Sequence, residues 1–266
     1  MISIIKNKIP LLQFSNLSGF PGLLHFVTTR EGGVSTGHYS SFNLGFNSGD
    51  NPESVSQNRT ILSKTLNLES DHLIFPKQTH SATVKVIDHY YLEADKHEQK
   101  DFLMETDALI TNIKRIYLGI KTADCVPMLL FDRKSKVIAA VHAGWKGTLK
   151  GIAFQTVKRM ISEFNSDPAY IVAGIGPSIS PGAYEVGQEV WSQFDPEYIH
   201  PYGNVSCNKR LLDLWKANHD QLYQTGIPAD QIELAGLCTY SNPESFFSAR
   251  RDGAKTGRMA TGIMVL

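Results

Sequence analysis

Apolar residues along this chain gather into short runs separated by polar turns, with only a few stretches of helical periodicity. Runs at 23–28, 82–87, 107–111, 116–120, 125–131, 137–142, 170–175, 231–235 and 259–265 predict strands. The helical period predicts helices at 53–66, 148–164, 187–194 and 208–224. In the second of these, Leu149, Ile152, Val157, Met160 and Ile161 share one stripe. Strands outnumber helices and follow one another directly. The pattern therefore predicts an α+β fold with much antiparallel pairing rather than a regular βαβ alternation. The polar stretch "YLEADKHEQKDF" (91–102) reads as a surface excursion between elements.

One helix carries an anomaly. Asp50 or Asn51 caps "DNPESVSQNRTILSKTLNL", with Pro52 in the first turn, and Val55, Leu62 and Leu66 form its apolar stripe. Arg59 falls in the middle of that stripe. Either its stem packs while the guanidinium reaches water, or it is held inward to meet a phosphate or carboxylate.

The segment "CVPMLLFDRKSKVIAAVH" reads as two apolar strands around a polar turn. A tight turn centred on Arg133 and Lys134 makes partner numbers sum to 267 and sets Cys125 directly opposite His142. Three readings of the pair stay open: a small core residue beside a satisfied histidine, a Cys–His nucleophile pair, or part of a metal site. The metal reading needs a further ligand. His80, in "FPKQTHSATVKVID", is the candidate, since it sits at a loop end before an alternating strand.

"HAGWKGT" leads from His142 into a helix whose first N–H groups are open to an anion, but it lacks the order of a phosphate-binding P-loop. "AGIGPSISPGAYEVG" lacks the third glycine of a dinucleotide fingerprint, so a nicotinamide-binding fold is not supported. Arg30, Arg250 and Arg251 stand at strand ends as candidate anion contacts.

Charge and composition narrow the function classes. Lys+Arg and Asp+Glu are equal at 26 each, which gives no bulk field toward nucleic acid or a membrane surface. The start, "MISIIKNKIPLLQFSN", is too interrupted for a signal peptide, and no run is long enough for a membrane helix. The three cysteines are widely spaced, without a C-x-x-C pair; a reducing, cytoplasmic setting is expected, with Cys207 and Cys238 packed as core residues.

Taken together, "TTREGGVSTGHYSSFNLGFNSGDNPESVSQNR", "FPKQTHSATV", "TDALIT", "TADCVPMLLFD", "VHAGWKGT", "GIGPSISPGAYEVG" and "CTYSNPESFFSARRDGAKTGRM" resemble the multicopper polyphenol oxidase (laccase-domain) family, in family order from about residue 25 onward. The resemblance implies one compact domain over 1–266, with mixed and antiparallel sheets layered between helices. It implies a zinc ion, one per chain, on His80, Cys125 and His142, which would make these three the catalytic centre. The implied activities are phosphorolysis of adenosine, inosine and methylthioadenosine to base and sugar 1-phosphate, and hydrolytic deamination of adenosine. The partners are then purine nucleosides and phosphate, with no nucleic acid or membrane. On that chemistry Arg59 and Arg250 are expected near phosphate, Arg30 as a further anion contact, Asn43 at sugar or base, and Asp124 in a structural role. The laccase name fits less well, because the nine histidines are scattered and form no H-x-H pair. Copper could still replace zinc at a thiolate–imidazole site. A copper-dependent polyphenol oxidase is thus the second reading, and a Cys–His hydrolase using Cys125 and His142 the third.

Overall fold

A computed structural model describes residues 1–68, 72–203 and 208–266; Cys207 lies outside the described residues. Two six-stranded sheets form its centre. One runs Ile2–Lys6, Ile9–Gln13, Leu23–Thr28, Met259–Val265, Tyr117–Thr122 and Leu73–Ile74, antiparallel except for the last pair. The other runs Ile232–Leu234, Ile171–Ile175, Val126–Asp132, Ile138–Ala143, Ala108–Thr111 and Val84–Val86, with its two outer pairs parallel.

The sheets stack face to face, and alternation along each strand divides its side chains between two cores. Leu129, Phe131, Ile138 and Ala140 point between the sheets to meet Leu118, Ile120 and Ile263. Met128, Leu130, Ala139 and Val141 point the other way, onto Ile152, Val157 and Met160 of the Ile152–Phe164 helix. On the outer face of the first sheet, Leu62 and Leu66 of the Pro52–Leu66 helix cover Leu11, Tyr117 and Met264. The central strands are thus buried on both faces, which is why "VPMLLF" and "VIAAVH" read as unbroken apolar runs. The result is a layered α+β domain, as expected.

Several elements depart from the sequence expectation. "SIIKNKIPLLQ", read only for what it excludes, forms a hairpin turned by Asn7 and Lys8, both left-handed. The 148–164 helix is broken: Trp145–Leu149 ends, Gly151 adopts φ +72°, and Ile152–Phe164 starts as a separate helix. Leu149 and Ile161 consequently face solvent. The front of the 208–224 segment is a strand, Arg210–Leu212; the helix begins at Leu214, where Asp213 accepts from the Lys216 N–H. The predicted 187–194 helix shrinks to Gln188–Trp191. Within 91–102, Asp95 and Glu98 form a reciprocal cap that starts the Lys96–Phe102 helix.

His25 supplies a stability test. Its Nε2 accepts the Phe14 N–H at 2.8 Å, its Nδ1 has no partner, and burial lowers its pKa to about 4. The unfolded chain therefore takes up this proton first. Stability from His25 should be intact above about pH 6.5 and fall by ~3 kcal/mol as pH drops to about 4. Urea midpoints across this range should show that loss, reduced in His25→Gln.

Candidate metal centre

The Val126–Asp132 and Ile138–Ala143 strands pair Pro127 with His142 and Val126 with Ala143, so partner numbers sum to 269 rather than 267. The turn is longer than expected. Asp132 N–H reaches Val137 O, and the Asp132 carboxylate accepts from the N–H groups of Lys134 and Ser135 and from the Ser135 hydroxyl. Cys125 therefore lies across from Gly144 and diagonal to His142. A shift of two in that sum preserves the faces, so the pair still shares one side of the hairpin. A Cβ built on Gly144 would stand 3.2 Å from Cys125 Sγ.

His80 arrives from a separate loop, in the left-handed region at φ +61°. Its Nε2 lies 3.6 Å from Cys125 Sγ, and its ring meets that of His142 edge-on, with 5.0 Å between centroids. One nitrogen from each histidine and the sulfur all lie within 4.8 Å of one another. His142 is buried, Cys125 half-buried and His80 exposed, so the cluster opens to solvent from one side.

Asp107, at the entry to the Ala108–Thr111 strand, organises both histidines. Its fully buried carboxylate accepts His142 Nδ1–H at 2.7 Å, the N–H groups of Thr79, His80 and Ser81, and the Ser81 hydroxyl. The first bond fixes the His142 tautomer and leaves its Nε2 lone pair for the cluster. The others set the backbone that presents His80. Burial works against the carboxylate charge, but these donors outweigh it and hold Asp107 well below the usual carboxylate range. Burial likewise opposes a Cys125 thiolate, yet the two histidines bring its pKa down. His142 moves upward against its burial, drawn by Cys125 and Asp107. A thiolate beside two imidazoles, one oriented through a carboxylate, suits zinc or copper.

The cluster lies in a cleft of about 440 Å³ whose walls include Trp145, Tyr184, Leu214, Asp124 and Arg250. Arg250 stacks its guanidinium 5.0 Å over the Tyr184 ring and donates to Glu185 O. Asp124, left-handed at φ +91°, accepts from the Thr239 and Ser248 hydroxyls and the Arg250 N–H, tying the Thr239 segment and the head of the Ala249–Asp252 helix to the strand that follows Cys125.

Other candidates lie apart from this lining. Asn43 is fully buried and engaged with Ser48, Asp50 and the N–H groups of Gly45 and Arg258. Arg30 donates to Ser40 O and Pro243 O and stacks over Phe247. Arg59 is half-buried, as its place in the apolar stripe with a solvent-reaching guanidinium allows, and among the described residues it makes no ion pair with a carboxylate: it donates to Leu44 O and rests over Phe46 and Phe75. Cys238 is buried, with Sγ accepting the Ser180 N–H. Sequence reasoning passed over Asp107, whose one signal is an acid at the head of the apolar run "ALIT". It also gave no role to Tyr184 or Trp145, which became recognisable only when the fold placed them beside Cys125.

The chain is 43% identical to a purine nucleoside phosphorylase of Bacteroides thetaiotaomicron, covering 100% of this chain and 99% of that protein. It is 37% identical to adenosine deaminase RL5 from an unknown prokaryotic organism, over 91% of this chain and 94% of the relative. The crystal structure of Bacillus licheniformis hypothetical protein YfiH superposes with a TM-score of 0.87 at 30% identity, covering 97% of this chain and 96% of that one. The sequence model of the multi-copper polyphenol oxidoreductase laccase family matches residues 24–266, and the chain belongs to that family.

Proposed function

We propose that this chain is a cytoplasmic, zinc-dependent purine nucleoside enzyme. It cleaves adenosine, inosine and methylthioadenosine with phosphate and also deaminates adenosine to inosine. The observation that carries the reading is the cluster of His80, Cys125 and His142 at a solvent-open cleft, with Asp107 orienting both histidines. The names of relatives that act on purine nucleosides support it.

His80, Cys125 and His142 would hold the metal, which when bound supplies Lewis acidity and can lower the pKa of a water to about 7. The chain's own groups do the rest. Asp107 keeps a proton on His142 Nδ1, so Nε2 stays turned to the cluster. Trp145 and Tyr184 offer aromatic surface to a purine, and Leu214 adds an apolar wall. Arg250, held by Glu185 O and Tyr184, keeps further N–H groups for the nucleoside. In phosphorolysis a phosphate oxygen bonds to the anomeric carbon as the bond to the base nitrogen breaks, and the base leaves with a proton. In deamination water adds at the amino-bearing carbon and ammonia departs.

Product analysis tests the reading. Adenosine with phosphate should yield adenine and ribose 1-phosphate, and adenosine alone should yield inosine. Arg250→Met should raise the nucleoside KM about tenfold or more, as expected for losing a charged hydrogen bond. Unchanged nucleosides under both conditions would reject it. Copper fits the same N and S donors, so phenol oxidation by copper-loaded protein belongs in that assay as the second reading.

A further inference from the structure

The Trp145–Leu149 helix brings Trp145 and Lys146 to the cleft wall, yet little of its own holds it in place. It has five residues, and its N-cap Gly144 offers no side-chain bond to the first turn. A helix this short draws its order from tertiary contacts. Gly151, at φ +72°, separates it from Ile152–Phe164, so its direction is not inherited from that longer helix.

Its tether comes from 70 positions further along the chain. Thr148 and Asn218 are both buried, at 1% and 0% exposure. Asn218 Nδ2 donates to the Thr148 hydroxyl at 3.0 Å, and that hydroxyl donates back to Asn218 Oδ1 at 3.3 Å. The second Nδ2 hydrogen goes to Leu214 O at 2.8 Å. Gln221, one turn along the same helix, donates from Nε2 to Thr148 O at 2.7 Å. Leu214 is itself a residue of the cleft wall. Beside it, Trp215 Nε1–H donates to the Ser178 hydroxyl at 2.7 Å, one residue before Ile179, which also lines the cleft. The Leu214–Gln224 helix thus joins three parts of the lining, those of Trp145, Leu214 and Ile179.

Packing alone would not call for these side chains. Asparagine is a weak helix former because its amide competes for backbone groups. Replacing both partners of a buried hydrogen bond by apolar groups of the same shape is nearly neutral for stability. What a satisfied buried polar pair adds is one fixed geometry.

We infer that Asn218 is a positioning residue for nucleoside binding: through Thr148, and with Gln221 beside it, it fixes the placement of Trp145 relative to Leu214 and so the space open to a planar base. The inference rests on the nucleoside reading for the base that fills this space. The metal ligands lie outside the tether, since Asp107 sets both histidines.

The test replaces the whole tether by apolar side chains of matching branching or length, in a Thr148→Val/Asn218→Leu/Gln221→Met variant of the full chain. It should melt close to wild type and retain the wild-type metal content. Hydrogen exchange read by mass spectrometry should nevertheless show lost protection over residues 145–149. The KM for adenosine should rise roughly three- to tenfold, the range for losing an aromatic contact, with kcat little changed. Thr148→Ser, which keeps the hydroxyl, should match wild type in both exchange and KM. A purely structural role predicts a lower melting temperature and no selective rise in KM. Unchanged exchange over 145–149 in the triple variant would overturn the tether whatever the activity. Adenosine cleavage with a wild-type KM in that variant would sink this inference alone. A wild type that leaves adenosine uncleaved, while the variant still loses protection over 145–149, would sink the nucleoside reading alone and leave the tether standing.

Discussion

Asp107→Ala should lower folding stability by ~3–5 kcal/mol, as expected when one partner of a buried, hydrogen-bonded charge is removed. The carboxylate accepts three consecutive backbone N–H groups, from Thr79 to Ser81, together with a hydroxyl and an imidazole, and an alanine methyl replaces none of them. Urea unfolding reads this directly. The site should suffer as well, because the same bonds set the His80 backbone and the His142 tautomer. Asp107→Asn, which keeps the shape and one acceptor oxygen, should fold better yet still weaken metal affinity about 10–100-fold, as oriented-ligand losses do. The pH dependence has a definite sign. Asp107 is held below its unfolded value, so its contribution is complete above about pH 4 and is lost as pH falls toward the folded value. The stability gap between wild type and Asp107→Asn should therefore narrow in acid. A gap that stays constant down to pH 2 would mean that Asp107 is not the ionised keystone of the two histidines.

Gly144→Ala should separate the chemistry of the site from the stability of the fold. Gly144 has φ −73°, a conformation alanine accepts freely, so no backbone strain is introduced. The obstacle is local: the new Cβ would stand 2.5 Å from His80 Cδ2 and 3.2 Å from Cys125 Sγ. The His80 side chain is exposed and can swing away, which relieves the clash and opens the cluster. A displacement of about 1 Å at a reacting site can cost about 100-fold in rate, and we expect a loss of that order with a melting temperature close to wild type. Full activity in Gly144→Ala would show that His80 need not stand beside Cys125.

How much of this was legible beforehand depends on whether the signal was local. The strand at 23–28 and the long apolar runs of the central hairpin were readable because these strands are buried on both faces, so the runs stand out whatever their register. The shared face of Cys125 and His142 was readable too. Their exact pairing was not, because Asp132 builds a longer turn through its own side chain. Periodicity carried the 148–164 helix through Gly151, since a left-handed glycine leaves no gap in an apolar stripe. The N-terminal hairpin escaped because its first strand lies at a sheet edge and is mostly exposed, so it lacks an apolar run. At the site, ligand types could be read from motifs, whereas Asp107 acquires meaning only from contacts across 26 or more positions of chain, and Tyr184 only from its stacking against Arg250. Arg59 shows both sides: its place in an apolar stripe marked it as unusual, but only the fold shows it sharing Phe75 with Lys121.

The most direct test of the account is the metal content of protein purified without added metal, measured alongside purine release from adenosine and phosphate. One zinc per chain, lost together with base release in Cys125→Ala, is the expected result. A metal-free chain whose Cys125 is rapidly alkylated and which leaves adenosine unchanged would contradict it, and would turn the same thiolate and imidazoles into a Cys–His hydrolase.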